Sequence, residues 1–133
     1  MKYLLDSNIC IRYLRDKDTL LGEYLRAGLG AQIALCAPVV AELLIGARKS
    51  QHVAKHLPVT ETFISKFSIL PFDAPSARFY VDNYVSLSRQ GLTIHLPDLQ
   101  ISSIALSNSL TVVTHNIKHF SDIPGLTIED WQR

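Results

Sequence analysis

Three acids stand out in this chain for where they fall. Asp6 ends the apolar run K-Y-L-L, with no acid before it and no glycine-rich turn after it, so no phosphate-cradling loop is present there. Glu42 sits inside V-V-A-E-L-L-I, an acid among neutral neighbours, where burial of an unpaired carboxylate would be costly. Asp98 follows Pro97 at the start of a helical pattern. Each has an ordinary explanation, since Asp is a favoured helix cap and helix N-termini favour acidic side chains. Gathered in one crevice, they have a different meaning. Two carboxylates about 4 Å apart repel by roughly 4 kcal/mol at an effective dielectric near 20. That repulsion is offset by a shared proton or by a hard cation, and Mg²⁺ prefers oxygen ligands while keeping several waters. Such a cation could bind a phosphodiester oxygen and activate water for in-line hydrolysis, which needs no nucleophilic side chain.

Bringing positions 6, 42 and 98 together requires a fold that delivers distant segments to a common edge. Short apolar runs at 2–5, 32–36, 68–72, 110–114 and 126–128 read as strands, several of them buried on both faces. Helical spacing fills the intervals. Ser7–Arg15 offers Ile9, Tyr13 and Leu14, and 18–28 opens on Asp18 as its cap with Leu21, Tyr24 and Leu25 behind it. Pro38 begins a helix through Lys49 with Val39, Leu43 and Gly46 on one face, and 53–66 forms another, interrupted or restarted near Pro58. The stretch 74–90 carries Ala77, Tyr80, Val81, Tyr84 and Leu87 and stops at Gly91; Pro97 and Asp98 open the last helix. This alternation predicts an α/β fold with a mainly parallel sheet and right-handed crossovers, with antiparallel α+β as the alternative. Ligands of such sheets bind beyond the carboxyl ends of the strands, where strand order reverses.

Composition narrows the classes. The 133 residues, 47% hydrophobic and 19% charged, can build a real core, which excludes a disordered tail or a disulfide-stapled miniprotein. With no repeat or linker, residues 1–133 read as a single domain. A formal charge of +1 provides no global field for a polyanion, so nucleic-acid contacts must come from local patches. Cys10 and Cys36 lie in apolar surroundings and read as buried reduced thiols. The apolar stretch before Asp6 is too short for a signal peptide, and no run approaches the roughly 18 residues of a membrane span, so a cytoplasmic location is expected.

M-K-Y-L-L-D-S-N-I-C-I-R-Y-L with Asp6, A-E-L-L-I-G-A-R-K-S around Glu42, D-x-x-I-x-x-x-A from Asp98 and the final V-V-T-H-N-I-K-H-F-S-D-I-P-G-L occur in an order that resembles the PIN-domain nucleases. More narrowly, they resemble the VapC-type toxins of toxin–antitoxin pairs. The resemblance runs over nearly the whole chain. It implies a PIN-like three-layer sandwich, a central parallel five-stranded sheet flanked by helices, and an endoribonuclease dependent on Mg²⁺ or Mn²⁺. It places Asp6, Glu42 and Asp98 in the catalytic site, with Asp6 and Asp98 holding the metal and Glu42 orienting or deprotonating water. Ser7 stands at the family's small hydroxyl position, Thr114 precedes the family's fourth acid, and that acid is replaced here by Asn116, with Asp122 a few residues on. Ser7, Asn8, Thr114 and Asn116 are expected to support the ligands. The substrate class implied is tRNA or another structured RNA, and the partners implied are a small antitoxin, which would bury an apolar groove and push a basic side chain toward the acids, and a second copy of the chain.

Arg12 lies one helical turn after Asn8 and Lys49 lies seven residues after Glu42, so both are candidate RNA contacts; Arg48, Arg89, His115, Lys118 and His119 follow behind them. The i, i+4 pairs His52/His56 and His115/His119 lack a third ligand and carry no zinc reading. A receiver-type phosphoacceptor would need paired acids at the first strand end, where Asp6 is single, although Asp73 follows the third strand. An aspartyl phosphatase would need an acid at position 8, which is Asn8. A catalytically inactive PIN-like interaction module stays open because of Asn116.

Overall fold

A computed structural model of the protein describes residues 1–131. Within them the chain runs β1 (Tyr3–Leu5), α1 (Ser7–Arg15), α2 (Leu20–Arg26), β2 (Ile33–Cys36), α3 (Ala37–Lys49), α4 (Val53–Ile64), β3 (Ser68–Leu70), α5 (Ala74–Arg89), α6 (Leu96–Ser107), β4 (Thr111–Val113) and β5 (Ile128–Glu129). Two short 3-10 turns, Gly30–Gln32 and Ile117–His119, precede β2 and follow β4. The strands form one sheet in the order β3-β2-β1-β4-β5, and every pairing is parallel, so the antiparallel alternative does not hold. Six helices flank the sheet, which is the α/β sandwich expected. No helix among the described residues is long and apolar enough to cross a membrane.

The three central strands are wholly buried, with Leu4, Leu5, Leu35, Val112 and Val113 at zero exposure, as their unbroken apolar composition requires. The two edge strands depart from that expectation. In β3 Ser68 and Ile69 are exposed, and β5 is only half-buried, because an edge strand is covered from one side only. Further corrections concern the helices. Thr19 rather than Asp18 caps α2, its hydroxyl accepting from the Gly22 amide at 3.1 Å. On α3 the buried stripe is Val39, Leu43 and Ala47, while Gly46 faces out. Pro58 lies inside an uninterrupted α4. On α5 the apolar residues Val81 and Tyr84 are exposed, and the helix buries Leu87 as expected together with Ser76 and Asn83.

Strand order decides where a site can form. From β1 the chain moves outward to β2 and β3, then crosses back to β4 on the other side of β1. Right-handed crossovers leaving in opposite directions part at the carboxyl ends of β1 and β4, which opens a crevice there. The Asp6 amide donates to the Val113 carbonyl at 2.9 Å and so fixes Asp6 at the lip of that crevice, beside Thr114. The α2 cap supplies a direct check on local structure. Thr19→Ala should lower unfolding free energy by about 1 kcal/mol, while Asp18→Ala should leave it nearly unchanged, as read by urea denaturation.

Candidate active site

Asp6 is the N-cap of α1, yet it is no plain cap. An ordinary capping side chain accepts from the second or third helical amide. Here Oδ1 accepts from the first, Ser7 N, at 2.7 Å, and Oδ2 accepts from the Thr114 hydroxyl at 2.7 Å and from Asn8 Nδ2 at 2.8 Å. The carboxylate is 3% exposed. Thr114, fully buried, is oriented in turn by the Asn116 amide, which donates to its Oγ1 at 3.0 Å. Asn8 closes the ring by accepting the His115 amide on Oδ1 at 3.1 Å.

Glu42 lies in the second turn of α3, beyond the first turn where the helix dipole would stabilise it. Ser7 ties it to Asp6: the Ser7 hydroxyl donates to Glu42 Oε2 at 2.7 Å while the Ser7 amide serves Asp6. Asp98 stands in the first turn of α6 and caps nothing; its Oδ2 meets Nδ1 of His119 at 2.7 Å.

The charge of Asp98 acts on both Asp6 and Glu42. Burial pushes the Asp6 carboxyl above the ordinary aspartate range, the charge of Asp98 adds to that, and the hydrogen bonds from Thr114, Ser7 and Asn8 oppose it. Burial likewise raises Glu42, opposed by Ser7 and reinforced by the charges of Asp6 and Asp98. The nearby thiols contribute nothing anionic: burial pushes Cys36 up to about 12 and Cys10 far above its usual value, and both are free thiols as expected. The donors facing the pocket are therefore carboxylate, hydroxyl and amide oxygens, a set that fits a hard divalent cation better than a soft one.

Other expected residues are less central. Asn116 is exposed and reaches the site through its backbone amide. Arg12 and Lys49 are exposed on α1 and at the end of α3, with Arg48 beside Lys49. Arg89 lies with Asp82 and Gln90 along α5, and Asp122 with Lys118 beside His119. The His115 ring pairs with Asp130 at 3.2 Å rather than with His119. Two residues were missed. Arg15 joins Glu42, Ile11, Leu14 and Val59 around a groove of about 350 Å³, and His95 stacks on His119 with ring centroids 3.9 Å apart. The only sequence signal for His95 is its position three residues before Asp98 at a helix start.

The raised Glu42 has a consequence for stability. Its folded value lies above its unfolded one, so protonation favours folding; that contribution is complete below the ordinary glutamate range and is lost as pH climbs through the raised value. In chelator, Glu42→Gln should therefore melt a few degrees above the parent at pH 7.5, with the gain vanishing near pH 4 in thermal denaturation.

A PIN-domain family model matches residues 3–126. The tRNA(fMet)-specific endonuclease VapC of Shigella flexneri is 34% identical over 131 residues, 98% of each chain. Among solved structures, DNA-bound VapBC from Salmonella typhimurium superposes with a TM-score of 0.90 at 34% identity over 98% of each chain. VapBC2 from Rickettsia felis, bound to a DNA fragment from its promoter, gives 0.88 at 32% identity, covering 99% of this chain and 100% of that one. With the sheet order, the crevice acids and full-length similarity in agreement, the chain belongs to the PIN-domain family, and its full-length homologues there are the VapC ribonucleases.

Proposed function

We propose that this protein is a metal-dependent endoribonuclease toxin that hydrolyses phosphodiester bonds of tRNA or another structured RNA. The observation that carries the reading is the Ser7 link that holds Asp6 and Glu42 together at the switch point of a parallel sheet, where the charge of Asp98 also reaches both. Asp6 and Asp98 would hold Mg²⁺ or Mn²⁺. When bound, the cation supplies Lewis-acid stabilisation of the phosphoryl oxygens and lowers the pKa of water. Glu42, held by Ser7 on one oxygen and raised in proton affinity by burial, is suited to orient the attacking water and accept its proton. Asn8, Thr114 and the Asn116 amide keep the Asp6 carboxylate in one orientation, the work of groups behind a metal ligand. Arg12 and Lys49 are placed to contact RNA phosphates.

The VapC relatives' names support RNA as substrate, and the VapBC complexes support a cognate antitoxin. The groove of Ile11, Leu14, Leu43 and Val59 that runs up to Glu42 is the surface we assign to it, where a basic side chain of the antitoxin would reach the acids. The exposed apolar side of α5, with Val81, Tyr84 and Val85, is the face we assign to a second copy of the chain. Residues 1–133 form one domain acting in the cytoplasm in this reading.

Purified protein and its Asp6→Asn variant, each given a pool of cellular RNA with Mg²⁺ or with chelator, test the proposal directly. Cleavage is expected only from the parent with Mg²⁺; equal cleavage in all four arms would overturn it. Thr114→Val should keep the fold by circular dichroism and cut with a rate reduced roughly 10- to 100-fold.

A further inference from the structure

We propose that His95, Asp98 and His119 form a second cation site, suited to Zn²⁺, beside the acids, and that its occupation ties up the Asp98 carboxylate and suppresses hydrolysis. The second half rests on the ribonuclease reading; the first does not. One ligand atom from each of the three side chains lies within 4.8 Å of the others. Asp98 Oδ2 and His119 Nδ1 are already 2.7 Å apart, and the two imidazoles are stacked with an interplanar angle of 15°. Zinc bonds to nitrogen and oxygen at about 2.0–2.2 Å in tetrahedral geometry, which sets neighbouring donors about 3.3 to 3.5 Å apart. A metal replacing the proton between Nδ1 and Oδ2 therefore needs only a small opening of that pair and a turn of the His95 ring.

Placement favours this. His95 and Asp98 are spaced i, i+3 at the start of α6, and the third ligand comes from the 3-10 turn after β4, so two ligands share one rigid element. His95 and His119 are exposed, which lets an ion arrive without burying an uncompensated charge. A cavity of about 180 Å³ lined by His95, Leu99, Lys118, His119 and Asp122 opens beside them, with room for a water as fourth ligand. Three protein ligands and one open position is the pattern of an accessible zinc site. Donor chemistry separates the two sites: imidazole nitrogen suits Zn²⁺, whereas Mg²⁺ prefers the all-oxygen pocket of Asp6 and Glu42. Asp98 would be shared by both, and a carboxylate whose charge is committed to Zn²⁺ attracts a second cation less strongly.

The full chain without a polyhistidine tag, stripped by chelator, is titrated with Zn²⁺ against a chromophoric chelator. One ion per chain is expected. His95→Ala and His119→Ala should each weaken binding by about tenfold or more, and His52→Ala should leave it unchanged. Co²⁺ in place of Zn²⁺ should give the strong visible bands of a low-coordinate site in the parent and lose them in both variants. In RNA cleavage at fixed Mg²⁺, one equivalent of Zn²⁺ should lower the parent's rate severalfold, while the ratio of rates with and without Zn²⁺ should approach one in His95→Ala. No binding, or binding that survives both histidine substitutions, overturns the site. Stoichiometric binding that leaves parental cleavage unchanged overturns the coupling through Asp98. A protein inert toward RNA that still binds Zn²⁺ through these histidines would uphold the site and remove both the ribonuclease reading and the inhibition.

Discussion

A single buried carboxylate organises the strand-end crevice of this molecule. Asp6 is almost fully enclosed, close to two other acids, and an arrangement of that kind is unfavourable unless the charge is compensated. The fold compensates it in part with three donors from two strand ends, Ser7 N and Asn8 Nδ2 after β1 and the Thr114 hydroxyl after β4. Those bonds lower the proton affinity of Asp6, but burial outweighs them, so the carboxylate is held in place without being fully satisfied. In the proposed metal site, that residual imbalance is what a bound cation would offset.

The same constraint explains why the sheet must be parallel and ordered as it is. Asp6 and Thr114 are 108 positions apart in the chain, and only the pairing of β1 with β4 makes them neighbours. Glu42 then arrives from the helix after β2, the strand on the other side of β1, and Ser7 bridges it to Asp6 through its hydroxyl and its amide. One serine at the first position of α1 thereby sets the spacing between two acids that belong to different crossovers.

Much of this was legible in the sequence, and the reasons are physical. A strand that must be buried on both faces has an unbroken apolar run, so β1, β2 and β4 announce themselves, and an acid directly after such a run has few places to go except a strand-end crevice. Glu42 was legible because an acid flanked by apolar residues needs a partner. What was not legible depended on choices between near-equivalent neighbours or on contacts between separate segments. Asp18 and Thr19 both qualify as caps, and the hydroxyl of Thr19 is the one that reaches the Gly22 amide. The period of α5 shows that one side is apolar, but not that Val81 and Tyr84 on it face outward while Leu87 is buried. Asp98 reads as a cap because it follows a proline, whereas its carboxylate turns away from the helix to His119. The pairing of His119 with His95 across 24 positions leaves no local trace, while His115 goes to Asp130, in keeping with the i, i+4 pair His115/His119 carrying no zinc reading.

Asp98 is accordingly the acid whose environment differs most from the others. Asp6 and Glu42 are held by hydroxyl and amide donors that stay neutral at every physiological pH. Asp98 is held by an imidazole, the one side chain that changes charge in that range and also binds transition metals. In the two proposed sites such an acid would serve either neighbour: toward Asp6 and Glu42 it would complete an oxygen set for a hard cation, and toward His95 and His119 a mixed nitrogen and oxygen set. Because a carboxylate has one charge to share, strengthening one of these associations weakens the other. The departure at position 116, where an amide stands in place of the family's fourth acid, sharpens that competition, since the pocket has one fewer carboxylate with which to replace Asp98.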